Sequence, residues 1–126
     1  MNNPETEKII NLIFDAAKEV HRHLGTGLIK SAYKATLCYE MHERGLHVET
    51  EVNVHLKYKN KILKEFLTGE IIINKKIIIE ILSSTKEKDF HQKKLSTLLR
   101  FSDATDGLLI NFNVPQIAGG FHKYKV

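Results

Sequence analysis

The sequence predicts an α/β fold, a central mixed β-sheet flanked by helices in the order ααβββαβ. Three patterns carry that prediction. Gly69 to Leu82, GEIIINKKIIIEIL, sets two isoleucine blocks either side of Asn74-Lys75-Lys76. Short runs this rich in β-branched residues read as neighbouring strands joined by a tight turn, and their nearly unbroken apolar character calls for cover on both faces. Val48 to Tyr58 alternates instead, with Val48, Thr50, Val52, Val54, Leu56 and Tyr58 separated by polar residues, the pattern of a half-exposed strand towards a sheet edge. Elsewhere apolar residues recur at helical spacing.

From the amino terminus, Asn3-Pro4-Glu5 reads as a helix start: Asn3 as cap, Pro4 in the first turn, Glu5 and Glu7 where the helix dipole favours acids. Ile9, Ile13, Ala16, Ala17, Val20 and Leu24 follow, and Gly25 ends the helix. His21, Arg22 and His23 near that end read as solvated side chains. After Gly25-Thr26-Gly27, Ile29, Ala32, Tyr33, Leu37 and Met41 mark a second helix closing at Arg44-Gly45, with Cys38 inside it as a packing residue. Lys59-Asn60-Lys61 is a turn into Ile62 to Phe66, which runs on towards Glu70 with a kink expected at Gly69. Ser83-Ser84-Thr85 leaves the sheet for a third helix, with Phe90, Leu95, Leu98, Leu99 and Phe101 as its apolar face and His91, Lys93, Lys94 and Arg100 as its polar one. Gly107 to Phe112 is another strand, and the segment around Phe121 to Tyr124 is compatible with a last one.

A chain of 126 residues, 42% of them hydrophobic and 27% charged, is large enough to bury its own core as one domain over 1–126. The single cysteine excludes a disulfide framework and a cysteine-built zinc site. MNNPETEK lacks the basic start and apolar run of a secretory signal, and no apolar stretch reaches the roughly 18 residues of a membrane span. A cytoplasmic protein without a membrane partner is expected. The net charge of +4 permits DNA or RNA as a partner without requiring it. No phosphate-binding glycine loop, serine or cysteine triad, or zinc cluster is present.

Glu80, inside the second isoleucine block, is costly to bury unless paired, protonated or bound to a cation. It either lies at an exposed strand end or meets Glu70 across the hairpin to hold a metal.

Several segments, in order, resemble one family. Leu24 to Tyr33, LGTGLIKSAY, resembles the signature of the GxxExxY proteins of the PD-(D/E)XK nuclease superfamily, a glycine, a glutamate three residues on and a tyrosine three further. Glu70 and Glu80 have the spacing of that family's sheet carboxylate, usually aspartate, and the glutamate of its "VELK" strand. His91 matches a histidine opening the next helix, Gly107 to Asn113 a "GLLINF" strand, and Gly120 with Lys123 the closing "GxxR". The resemblance spans nearly the whole chain. It implies a PD-(D/E)XK nuclease-like fold and a site where Glu70 and Glu80 hold Mg²⁺ or Mn²⁺, a hard cation that stabilises the transferring phosphate and supplies hydroxide near neutral pH. The departures fall on the chemistry: Lys30 stands for the signature glutamate, Glu70 for the aspartate, Leu82 for the strand lysine and Lys94 for a helix glutamine.

Two readings follow. In one, a divergent nuclease keeps its metal, with Lys94 or Lys30 as a migrated catalytic lysine orienting water. In the other, Lys30 or Lys94 neutralises Glu70 and Glu80 as buried ion pairs, and a catalytically degenerate domain binds nucleic acid through a basic rim of Lys86, Lys88, His91, Lys93, Lys94 and Arg100. A non-catalytic protein-interaction or oligomerisation module on the same fold, pairing through the edge strand Val48 to Tyr58 as in a homodimer, is the alternative.

Overall fold

A computed structural model describes residues 3–125. Helix α1 spans Pro4–Leu24 and α2 Lys30–Glu43. Strands β1 (Val48–Tyr58), β2 (Lys61–Ile73) and β3 (Ile77–Leu82) follow, then a 3₁₀ turn at Thr85–Glu87, helix α3 (Lys88–Phe101), strand β4 (Asp106–Asn111), a second 3₁₀ turn at Ile117–Gly120 and strand β5 (Phe121–Lys125). The strands lie in sequence order across one sheet. Only β3 and β4 run parallel, and α3 makes the crossover that parallel pairing requires. The expected order ααβββαβ is thus extended by one strand: β5 turns back antiparallel on β4, from Asp106↔Lys125 to Ile110↔Phe121. Among the described residues no helix is long and apolar enough to cross a membrane.

Local chemistry sets the boundaries. The Asn3 side chain accepts a hydrogen bond from the Glu5 backbone N–H at 2.8 Å, satisfying one of the free donors at the start of α1. Gly25 and Gly27, at φ 68° and 88°, take the left-handed turns of the α1–α2 link that a side chain would strain. The β2–β3 turn has positive φ at Asn74 and Lys75, and Asn74 also ties in β1, its side chain accepting from the His47 N–H at 2.7 Å. Every residue of β3 and β4 is buried, as their continuous apolar character requires.

Alternation splits the sheet's side chains between two cores. Ile71, Ile73, Ile77, Ile79 and Ile81 pack with Leu108, Ile110 and Phe112 against α1 and α2. Ile72, Ile78, Leu82 and Leu109 pack against Leu95, Leu98 and Leu99 of α3. Each fully buried isoleucine or leucine adds roughly 1.5–3 kcal/mol, so these two layers, not the polar end, hold the fold.

Two expectations need correction. Phe90 is 69% exposed, whereas His91 is buried. The inward stripe of α3 is 91, 95, 98, 99, helical spacing that leaves position 90 outside. His21 is not freely solvated: its Nε2–H donates to the Val114 carbonyl at 2.8 Å. Around Gly69 the alternation does break, since Leu67 and Ile72, of opposite parity, both pack on the α3 side. The backbone irregularity itself lies on β1, where Glu51, between the paired residues Thr50 and Val52, has φ 53°.

Candidate functional site

The β2–β3 ladder runs from Ile73↔Ile77 to Ile71↔Ile79. At the next position a side chain replaces the ladder: the Glu70 N–H donates to Glu80 Oε2 at 3.0 Å. Glu80 is fully buried. Its Oε1 accepts from Lys94 Nζ at 3.1 Å, and His91 Nδ1 stands 3.5 Å away. The His91 Nε2 lies 3.5 Å from Glu87 Oε2. On β2, Glu70 Oε2 meets Lys30 Nζ at 2.9 Å, while Glu70 Oε1 is buried without a hydrogen-bond partner.

A cleft of about 430 Å³ opens over these groups, lined by Lys30, Ser31, Lys34, Glu51, Thr68, Glu70 and Lys94. Lys34 pairs with Glu51. Three ammonium groups and three carboxylates therefore match one to one: Lys30 with Glu70, Lys34 with Glu51, Lys94 with Glu80. Burial pushes the Glu70 carboxyl above its ordinary value of 4.5, although the hydrogen bond and charge of Lys30 pull it down; the charge of Glu80 adds to the rise. Burial also pushes the Cys38 thiol up, in keeping with a packing residue.

The donor set does not fit a Mg²⁺ or Mn²⁺ ion. Such a cation needs several oxygen ligands and a surplus of negative charge. Here Lys94 and the Glu70 N–H take the two Glu80 oxygens and Lys30 takes one of Glu70, so that of these four carboxylate oxygens only Glu70 Oε1 is without a partner. Among the described residues no group of three or more His, Cys, Asp or Glu side chains is placed to hold a metal. Leu82, where the resemblance places a lysine, is buried among the leucines of α3.

The resemblance segments meet at the other side of this end. The Tyr33 hydroxyl donates to the Gly25 carbonyl at 2.7 Å and accepts from the Leu28 N–H at 3.2 Å, and its ring stacks on Phe112 at 4.6 Å between centroids. Asn113 accepts from the Gly27 N–H and donates to the Ser83 carbonyl, both at 2.8 Å. Tyr33 and Asn113 thus pin the link that positions Lys30.

The other residues named from sequence do not converge. Lys86, Lys93 and Arg100 are exposed, Arg100 with its guanidinium 5.0 Å from the Phe101 ring centroid. Lys88 lies towards β5, where its charge, after burial, helps lower His122. His91 is buried on Glu80 instead of standing on the rim. Sequence reasoning missed Lys34 and Glu51. Lys34, four residues after Lys30, shares its helix face, a readable signal; Glu51 turns towards the cleft through a backbone angle its residue type does not announce.

A sequence profile of the PD-(D/E)XK nuclease superfamily matches residues 7–124, and the chain belongs to that superfamily. No curated protein and no solved structure matches it.

Proposed function

We propose that this domain is a GxxExxY-like member of the superfamily in which lysines have taken the place of the metal, and that it binds the phosphodiester backbone without cleaving it. One observation carries the reading: the fully buried Glu80 has its charge met by Lys94 at 3.1 Å, with Lys30 on Glu70 at 2.9 Å. A buried carboxylate needs such a partner. Lysines at these positions remove the surplus negative charge a cation would need and leave Lys86, Lys93 and Arg100 free for salt-sensitive phosphate contact. Superfamily membership supports nucleic acid as the ligand.

The test is cleavage of plasmid and single-stranded DNA by the purified protein with Mn²⁺, beside Glu80→Gln prepared identically, together with binding of labelled oligonucleotides over a salt series. The expected result is no cleavage by either protein, a melting temperature indifferent to Mn²⁺, and binding that weakens with salt. Mn²⁺-dependent cleavage lost in Glu80→Gln would instead establish a working metal site with a migrated lysine. Absent nucleic-acid binding, combined with concentration-dependent size on gel filtration, would move the domain to self-association through β1.

A further inference from the structure

Resting on the binding proposed above, we infer that the outer β1–β2 ribbon is the arm that holds single-stranded nucleic acid, bases stacked on its exposed rings and phosphates on its lysines. β3 pairs with β2 only at residues 71–73, yet β1 and β2 stay paired out to Tyr58↔Lys61. A two-stranded ribbon therefore extends beyond the three-stranded part. One face is covered, because Val52, Val54 and Leu67 pack on the α3 core. The cross-strand pairs Asn53↔Thr68 and His55↔Phe66 lie on the other.

That second face begins at the charged cleft, which Thr68 lines. Thr68 Oγ1 donates to Asn53 Oδ1 at 3.1 Å, and next outward the His55 and Phe66 rings lie 5.4 Å apart. Phe66 on this face is 47% exposed. At the tip of the ribbon, beyond the cover of α3, Tyr58, which shares the parity of Val54 and so falls on the other face, and Ile62 are each 65% exposed, so the arm presents a ring on either face. Between His55 and Phe66 the chain carries Lys57, Lys59, Lys61 and Lys64 against one acid, Glu65. All four lysines are exposed, and none joins an ion pair among the described residues.

Exposed rings interleaved with unpaired lysines match a strand whose bases are unstacked and whose phosphates run alongside. A duplex hides its base faces and would leave the rings without partners. A second copy of the chain would bring four like charges against four, and edge lysines of this kind oppose strand pairing.

Fluorescence anisotropy with labelled single-stranded DNA and RNA 12-mers and a duplex of equal length tests this. The variants are Tyr58→Ala, Phe66→Leu, which keeps apolar bulk but loses the ring, and Lys57, Lys59, Lys61 and Lys64 all changed to serine. Thermal melts check that each folds. Single strands should bind more tightly than the duplex, with DNA or RNA identified as the ligand by which binds better. Each ring variant should bind roughly tenfold more weakly at unchanged salt dependence. The lysine variant should flatten the slope of log K against log salt by roughly 0.7 for each phosphate that is no longer neutralised. Nucleic-acid binding that is tighter for the duplex, or unchanged in all three variants, would overturn this inference and leave the proposed function standing. No binding to any oligonucleotide would sink both. Variants that alter only the size on gel filtration would make the ribbon an oligomer contact and overturn the inference as well.

Discussion

The inner and outer halves of the sheet hold charge in different ways. In the inner half, β3 and β4 are buried along their whole length, and Glu80 has both oxygens engaged. In the outer half, β1 buries only Val54, and Glu70, where the halves meet, keeps one oxygen on Lys30 and one without a partner. The difference follows from dielectric surroundings. A charge walled in by isoleucine and leucine persists only if fixed partners replace its water, whereas a charge beside a cleft can exchange a proton or a lysine with solvent. Glu80 is thus as much a structural residue as a site residue, and Glu70 is the adjustable one.

The widest separation between the halves should come from adding one methyl group. A Cβ at Gly120 would stand far inside van der Waals contact distance of the Asn111 carbonyl oxygen at the end of β4, a backbone atom that cannot swing aside. Gly120→Ala should cost about 3 kcal/mol or more. At Gly69 in β2 the nearest atom is the flexible Ile72 Cδ1 at 3.4 Å. Gly69→Ala should therefore change stability by less than about 1 kcal/mol, in either direction. Urea denaturation of the two variants checks this; equal losses would erase the contrast.

Removing the ammonium groups sharpens it. Lys94→Ala leaves Glu80 buried with the Glu70 N–H on one oxygen and His91 as the only ionisable side chain nearby, and should cost about 3 kcal/mol. Glu80→Gln added to Lys94→Ala removes the stranded charge while the amide oxygen still accepts the Glu70 N–H, so at least half the loss should return. Lys30, 36% exposed, serves a carboxylate that can take up a proton instead, and Lys30→Ala should cost about 1 kcal/mol. If the two single variants cost the same, Glu70 and Glu80 are not distinguished by burial.

Legibility in the sequence follows the same division. Continuous isoleucine runs announce the inner strands because burial on two faces leaves composition no freedom, and the Asn3 cap and helix stripes are equally local signals. The α3 register is harder to read: Phe90 outranks His91 in hydropathy, yet the stripe through Leu95 and Leu98 takes position 91 inward, where Glu80 offers it a charge. The register of the Glu70 and Glu80 pair is readable from hairpin spacing. The irregularity at Glu51, the unequal spacing of ribbon pairs between His55 and Lys57, and the extent of β2 are not, because they arise from twist and pairing between strands.

The smallest effect is the most specific to Glu70. Burial raises its carboxyl above 4.5 in the folded protein, more than Lys30 lowers it. Below 4.5 both the folded and unfolded chains hold the proton, and Glu70 adds no pH dependence. As pH rises from 4.5 towards the raised folded value, the unfolded chain releases a proton that the folded one keeps, so stability falls through that window and then levels off. Glu70→Gln removes the titration and should gain on the wild type across that interval, by about 1 kcal/mol at most because Lys30 loses its partner. Lys30→Ala should move the end of the window to higher pH, since the chief influence lowering the Glu70 value is gone. Melting temperatures of the three proteins at half-unit steps from pH 4 to pH 8 check both effects. A wild-type curve parallel to that of Glu70→Gln would mean that solvent reaches Glu70 Oε1, and that the border between the two halves lies inside β2, not at its edge.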